Sequence, residues 1–282
     1  MIDHIKNLEK KTNKERTDYV KQILKQTNVS FSVQPFRQRI LKGENIIVEQ
    51  FSGDSRRQLL LTAHTNKYFS SPGANDNASG VAVLLEIIKY LSKMERKKDA
   101  GLTIVFLDHE DGLAYLDGSN YYVNHTDVSR ISFVLNLDGV GMGNSITLSP
   151  KITSSTSSDY INYLLQYLVK SRIKHFSFDL PPIMVEDHVP FINKSVNAIS
   201  LNLMSELDLE YLKGISNTSW LQKMKVYLIY RGFNRKNHPM TIMRHRHNEL
   251  DTSDYIQEKS LQLAFQLTMK IIDYHSKRTV AT

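Results

Sequence analysis

The sequence predicts an α/β fold, in which helices cover both faces of a largely parallel or mixed sheet. Three short runs are almost wholly apolar and end at a polar residue, as buried strands do; they are RQLLLTAH at 57–64, TIVFLD at 103–108 and ISFVLNLD at 131–138. Segments with apolar residues at helical spacing lie between and after these runs. Strands that alternate with helices in this way form sheets with helical layers on both sides.

The first third of the chain begins with a predicted helix, because apolar side chains recur at helical spacing and Asn28 provides a stop. The elements predicted there are, in order, an N-terminal helix at 1–30, strands at 30–36 and 45–51 with a turn at 42–44, the strand that ends at His64, and a helix at 76–94. The strand that ends at His64 is nearly all apolar, which is typical of a strand at the centre of a sheet.

The rest of the chain continues the alternation. The predicted elements are the strands 103–108 and 131–138, a helix at 158–171, a strand at 197–203 and a helix from Thr252 to about Ser276. Residues 205–246 are the least regular part, and we expect them to form helical excursions, DLEYLKG and SWLQKMKVYLIYR, that act as a lid over the active face. No repeat or linker divides the chain, so we expect residues 1–282 to form a single domain.

Composition narrows the possible functions. The chain has 282 residues, no Cys, and 36 Lys and Arg against 29 Asp and Glu, a net charge of +7. The absence of Cys excludes disulfides, thiolate metal sites and thiol catalysis. The modest positive charge favours an ordinary basic surface over a nucleic-acid partner. No apolar run reaches 18 residues and the N-terminus lacks an apolar signal segment, so we expect a cytoplasmic protein without a membrane partner.

Several familiar catalytic motifs are absent. The sequence contains neither the phosphate-binding GxxxxGK[ST] pattern nor the GxSxG pattern of a serine nucleophile. His109 and Glu110 begin an HExxH pattern, but Leu113 stands where the second His is required. The glycines at 139, 141 and 143 follow a strand without opening a helix, so we interpret them as a turn.

Imidazole and carboxylate groups are found at the ends of the predicted strands and in the turns near them. The candidate ligands are His64, Asp76, Glu110, Asp111, Asp138 and His247. The carboxyl ends of parallel strands meet at one edge of a sheet, where ligands gather. Such side chains suit zinc or manganese, but each one alone is more often a turn, capping or surface residue. The residues themselves leave both interpretations open.

The segment SPGANDNASGVAVLLEIIKYL at 71–91 resembles the metal-binding turn and following helix of the M28 family of zinc aminopeptidases. The resemblance continues in order through the Ala-His pair at 63–64, VFLDHEDGL, GSNYYV, VLNLDGVG, EDHVPF and HNELDT, and covers about residues 45–275. It implies a single three-layer α/β/α zinc-exopeptidase domain with a mixed, mostly parallel central sheet.

The resemblance also implies roles for the candidate residues. Asp76 would bridge two divalent metal ions, with zinc as the expected metal. His64 and Asp138 would complete one site, and Asp111 and His247 the other. Glu110 would be the general base, and the reaction would remove N-terminal residues from short peptides. The stretch after Asp76, Asn77 to Gly80, would cap the helix that fixes it.

Three departures from the family pattern affect these expectations. Asn66 replaces the usual Asp that orients the first imidazole, so we expect weaker metal retention beside His64. Asp111 replaces the more usual Glu. Arg246 stands where relatives carry Tyr, and could either donate to a tetrahedral intermediate or be an ordinary surface residue. His188, in EDHVPF, is expected at most to support the cleft.

Two wider questions remain open at the level of sequence. The basic residues of the irregular segment, Arg231, Arg235, Lys236, Arg244 and Arg246, could form a rim that selects acidic substrates or simply be solvated. A glutaminyl cyclase, an acyltransferase with the same fold and one zinc, is the main alternative to an aminopeptidase, and a non-catalytic binding member of the fold is the other. Metal content separates the first two, and the sequence does not indicate the oligomeric state.

Overall fold

The computed structural model describes residues 1–38, 41–51, 57–94, 101–110, 116–179, 186–219 and 238–280. Asp111 and most of the segment SWLQKMKVYLIYR lie outside the described residues, as do Arg231, Arg235 and Lys236. Among the described helices, no stretch has both the length and the apolar character needed to cross a membrane.

Eight strands form one sheet. They are β1 (Ser32–Gln38), β2 (Leu41–Phe51), β3 (Gln58–His64), β4 (Leu102–Leu107), β5 (Ile131–Leu137), β6 (Ser145–Ser149), β7 (His175–Ser177) and β8 (Ala198–Met204). Their order across the sheet is β1-β2-β4-β3-β5-β8-β6-β7. The central strands β4, β3, β5 and β8 run parallel, whereas β2 and β6 join them antiparallel. The mixed, mostly parallel sheet predicted from the sequence is therefore confirmed.

Helices pack on both faces of this sheet. The described helices are α1 (Ile2–Leu8), α2 (Asn13–Gln26), α3 (Ser79–Ser92), α4 (Asp117–His125), α5 (Asp159–Lys170), α6 (Val189–Asn193), α7 (Glu206–Ser216), α8 (Thr241–His245) and α9 (Glu258–Val280). Alternate residues of each central strand point to opposite faces. Leu59 and Leu61 join the larger apolar cluster with α1, α2, α3, α5 and α9, whereas Leu60 joins the smaller one with α4 and α6.

The N-terminal region forms two helices, so the prediction of one helix over residues 1–30 is wrong. The break has a local cause. The side chain of Thr12 accepts a hydrogen bond from the backbone of Glu15, and the Glu15 side chain accepts one from the backbone N–H of Thr12, which together make a capping box. This reciprocal cap satisfies free N–H groups and starts α2 at Asn13.

The other boundary differences have similar local origins. The predicted turn at 42–44 lies within β2, because Gln38 of β1 already pairs with Leu41. The helix expected from Asp76 begins at Ser79 because residues 74–78 form a tight turn. The C-terminal helix begins at Glu258, after a short helical turn at Ser253–Tyr255, and the predicted segment DLEYLKG lies in α7.

Candidate metal centre

The site lies where three neighbouring parallel strands end. His64 is the last residue of β3, Asp138 directly follows β5, and Glu110 lies three residues beyond β4. Since β3 is flanked by β4 and β5, these three side chains reach the same edge of the sheet. One potential ligand atom from each lies within 4.8 Å of the other two, and all three residues are buried.

Asp76 lies on the tight turn between β3 and α3. Gly73 precedes the turn at φ +67°, and a Cβ there would meet the backbone oxygen of Asp76 at 2.8 Å, so a glycine is required. The buried carboxylate of Asp251 accepts hydrogen bonds from the backbone N–H groups of Asn75 and Asp76, at 2.7 and 3.1 Å. A carboxylate from the far end of the chain therefore holds the turn.

Asn77 connects this turn to the end of β5. Its Nδ2 donates to the carbonyl of Leu137 at 2.7 Å, while its Oδ1 accepts from the N–H groups of Gly80 and Gly139 at 3.0 and 3.3 Å. Asn77 is fully buried. The bond to Gly80 satisfies one N–H group in the first turn of α3, and the other two place Asp76 relative to Asp138. The N-cap residue of α3 is Ala78, and no side chain caps it.

The two oxygens of Asp76 face two different imidazoles. Oδ1 lies 3.2 Å from Nε2 of His64, and Oδ2 lies 3.0 Å from Nε2 of His247. The His64 nitrogen is also 3.8 Å from Glu110 Oε2 and 3.7 Å from Asp138 Oδ1. The carboxylate of Asp76 thus lies between the two imidazoles.

The ring of Tyr68 packs on His247. Their centroids are 4.5 Å apart and the rings are nearly parallel, at 6°. Phe69, the next residue, makes an edge contact with Tyr68 and is 62% exposed. Sequence reasoning gave Tyr68 no role, because its partner lies almost 180 positions further along the chain.

Arg246 lies inside the site. Its Nε is 2.9 Å from Asp76 Oδ2, and one Nη is 3.3 Å from Asp138 Oδ2. The side chain is 20% exposed. Of the two interpretations that the sequence left open, an ordinary surface arginine is therefore wrong.

The charges of the site raise the pKa of His64 and lower the pKa of Asp76. Burial alone lowers the pKa of His64, but the nearby carboxylates, Glu110 foremost, outweigh burial and raise this pKa well above its usual value. Burial raises the pKa of Asp76, but Arg246 and the two imidazoles hold it well below its usual value. A cation that binds here must displace the proton of His64.

The residues fit a divalent metal ion. His64 Nε2, both oxygens of Asp76 and Asp138 Oδ1 are buried, and within the part of the chain that the structure describes they make charged contacts but no well-formed hydrogen bond. Buried polar atoms are normally satisfied, so their convergence on one place requires an explanation. Imidazole nitrogen and carboxylate oxygen are the donors that zinc accepts in the absence of thiolates.

A sequence model of peptidase family M28 matches residues 45–272. The chain belongs to this family. Aminopeptidase YwaD of Bacillus subtilis is 32% identical over 143 residues, which are 49% of this chain and 30% of that protein. The matched stretches of the curated relatives make up 11 to 30% of their own lengths. The M28 resemblance predicted from the sequence is confirmed.

Solved structures share the fold of this M28 chain over most of its length. A Zn-dependent exopeptidase from Parabacteroides distasonis superposes with a TM-score of 0.68 at 16% identity, covering 96% of both chains. Glutaminyl cyclase from Porphyromonas gingivalis has a TM-score of 0.66 at 21% identity, covering 92% of this chain and 88% of its own. The fold therefore includes both peptidases and cyclases.

In this M28 chain the backbone of Asn66, and not its side chain, contacts the imidazole of His64. Nδ1 of His64 lies 3.1 Å from the backbone carbonyl of Asn66, while the Asn66 side-chain oxygen accepts the N–H of Glu110 at 2.9 Å. A main-chain carbonyl is available at any residue, so the loss of Asp here need not affect the imidazole. The side chain of Asn66 instead positions the backbone of Glu110.

The EDHVPF block contributes two buried groups, Glu186 and His188, and at most a supporting role was expected of His188. Burial and the charge of Asp138 raise the pKa of Glu186 to about 7. The Nδ1 atom of His188 lies 3.7 Å from Glu186, and burial lowers the pKa of His188 to about 3. Glu186 and Asp251 were missed as site residues, although both belong to the family-like blocks.

Proposed function

We propose that this protein is a metal-dependent aminopeptidase that removes N-terminal residues from short peptides. The observation that carries the proposal is the carboxylate of Asp76, which lies between the imidazoles of His64 and His247. Membership of family M28 and the similarity to an aminopeptidase over half of this chain support it.

Two zinc ions are the proposed cofactor. Among the described residues, His64 and Asp138 would hold one ion, His247 would hold the other, and Asp76 would contact both. Asp111, outside the described residues, is the remaining proposed ligand. When bound, the ions supply the positive charge that makes a water molecule more acidic and polarises a peptide carbonyl.

Glu110 is the proposed general base. Its carboxylate takes a proton from the attacking water as the water oxygen bonds to the carbonyl carbon. Glu110 then returns this proton to the amine nitrogen as the carbon–nitrogen bond breaks, so the enzyme ends the cycle unchanged. The side chain of Asn66 holds the backbone N–H of Glu110 and so fixes where its carboxylate can reach.

Glu186 provides a reason for action at a free N-terminus. Its buried carboxylate is not among the proposed metal ligands, so the proposed ions do not use it, and it lies close enough to Asp138 for that charge to raise its pKa. The protonated α-amine of a peptide complements this carboxylate, whereas an internal peptide bond offers no such cation. Glu186 is therefore the proposed partner of the free amino end.

The first experiment compares Glu110→Gln with Glu258→Gln, an exposed control at the start of α9. Zinc-loaded protein is assayed on a panel of acidic, neutral and basic aminoacyl substrates, and its metal content is measured in parallel. We expect Glu110→Gln to lower kcat by about 10²- to 10⁴-fold with metal retained, since general-base catalysis contributes roughly that much. The control should match wild type.

The same panel tests the remaining expectations. Equal turnover of the three substrate types would remove the idea of a basic rim that selects acidic residues. Retained metal with no turnover of any peptide, or equal activity in Glu110→Gln and wild type, would contradict the proposal. The first of these outcomes would favour a non-catalytic binding member of the fold.

A cyclase-like acyltransferase is the second candidate. The Porphyromonas gingivalis glutaminyl cyclase matches nearly the whole of both chains, and Glu186, with its pKa of about 7, could exchange a proton near neutral pH. Cyclisation of an N-terminal Gln releases ammonia and keeps the peptide's length, whereas hydrolysis releases a free amino acid. Mass spectrometry of peptides that begin with Gln separates the two reactions.

A further inference from the structure

Arg246 contacts the carboxylate oxygen of Asp76 that is proposed to bind the second metal ion. Its Nε lies 2.9 Å from Asp76 Oδ2, and Nε2 of His247 lies 3.0 Å from that same oxygen. A second contact joins the guanidinium to Asp138 Oδ2 at 3.3 Å. The arginine thus spans two of the carboxylates that are proposed as metal ligands.

The charge of this group is permanent. A guanidinium stays protonated at any pH at which a protein is folded, so Arg246 cannot lower its repulsion by losing a proton. The side chain is only 20% exposed, and solvent screens like charges less in such a place than at an open surface. A divalent ion bound through Asp76 Oδ2 would lie a few ångströms from this charge.

We propose that Arg246 and the second metal ion compete for Asp76. The two ions then bind with clearly unequal affinities, and the arginine sets how much of the second site is filled at a given metal concentration. This inference rests on the proposed function, because it takes Asp76 and His247 as metal ligands. It assigns Arg246 a role that an arginine acting only on the substrate would not have.

The contrast between these two roles can be measured without any substrate. An arginine that only stabilises a reaction intermediate changes kcat and leaves metal binding as it was. An arginine that competes with an ion changes the metal dissociation constants of the resting protein. Metal binding to the full chain is therefore the decisive measurement, with Zn²⁺ as the probe.

The experiment titrates metal-free protein with Zn²⁺ by calorimetry and by competition with a chelator. The variants are Arg246→Gln, which removes the charge, and Arg246→Lys, which keeps it. Arg244→Gln is the matched control, because Arg244 lies on α8, two residues away, and its Nη contacts Thr241. Unfolding in urea, measured for each variant, checks that it is folded.

We expect Arg246→Gln to tighten the weaker of the two zinc sites by roughly tenfold or more, because it removes a positive charge that competes with the ion for a buried carboxylate. Arg246→Lys and Arg244→Gln should both stay close to wild type. A wild type that takes up one ion, with a second appearing only in Arg246→Gln, would support the competition equally.

Two outcomes contradict the inference, and they are distinguishable. If Arg246→Gln and wild type bind both ions with the same affinities, the competition is wrong and the proposed metal centre stands. If no folded variant binds Zn²⁺, the proposed metal centre itself is wrong. If His247→Ala leaves zinc binding unchanged, His247 is not a metal ligand.

Discussion

Asn77 offers the sharpest test of how the site is built. In Asn77→Ala three buried partners, the Leu137 carbonyl and the N–H groups of Gly80 and Gly139, lose their hydrogen bonds. A buried group left without a partner costs about 1–3 kcal/mol, and the penalties of neighbouring groups overlap in part, so we expect a total loss of about 3–5 kcal/mol. Metal affinity should fall as well, because Asp76 is no longer tied to β5.

The comparison variants come from the same residue type. Asn75→Ala removes a single acceptor, since Asn75 Oδ1 receives the N–H of Gly141 at 2.8 Å, and should cost about 1–2 kcal/mol. Asn7 is exposed on α1 and donates to the backbone carbonyl of Asp3, so Asn7→Ala should stay within about 0.5 kcal/mol of wild type. Urea unfolding of metal-free protein, followed by circular dichroism, measures all three. A loss in Asn77→Ala no larger than that in Asn75→Ala would refute this account of the turn.

Three further predictions follow from single contacts. His188 has a pKa of about 3 in the folded protein and about 6.5 in the unfolded chain, so the free energy of unfolding is highest above pH 6.5 and decreases as the pH falls towards 3. By pH 5 the free energy of unfolding should have decreased by about 2 kcal/mol. The variant His188→Gln should not show this decrease. An equal pH slope in both proteins would contradict it. Asn66→Ala should lower kcat by about tenfold with zinc affinity unchanged, because the His64 imidazole bonds the main chain; a weaker zinc affinity would show that the side chain also matters. Tyr68→Ala should weaken zinc binding, because the Tyr68 ring stacks on the imidazole of His247. Phe69→Ala and Tyr68→Phe should leave the zinc affinity unchanged. Equal zinc affinities in all three variants would show that this stacking does not hold His247 in place for the metal.

The convergence of the main candidates on one site could be predicted from the sequence for a simple reason. Each central strand is a short apolar run with a polar residue at or just beyond its end, and parallel strands bring those ends together. His64, Glu110 and Asp138 meet because β4, β3 and β5 are neighbours. The sequence did not predict the order of the strands across the sheet.

Other features of the site depend on contacts between residues far apart in the chain, which the spacing of residues along the sequence does not predict. Asp251 and Asn75 are 176 positions apart, and no local pattern pairs them. Arg246 could be placed only once its neighbours Asp76 and Asp138 were in position. The break between α1 and α2 is different, because the Thr12 to Glu15 capping pattern was present in the sequence and was overlooked.

The short strands were missed because they carry little signal. Within the described residues, β7 has three residues and pairs with β6 alone, and β6 itself has five residues. A period of two cannot be recognised over so few positions. These strands owe their existence to the neighbouring edge of the sheet, which supplies the partners for their backbone groups.

Arg16 shows that the support of the candidate site begins before the matched region does. The matched residues start at 45, yet Arg16, on α2, is fully buried and donates to the backbone carbonyls of Thr65, Pro72 and Gly73, in the loop between two proposed metal ligands. A chain trimmed to the matched region would leave these carbonyls facing an empty space. Substitutions in the first helices are therefore constrained by the loop that Arg16 holds, although these helices precede the matched region.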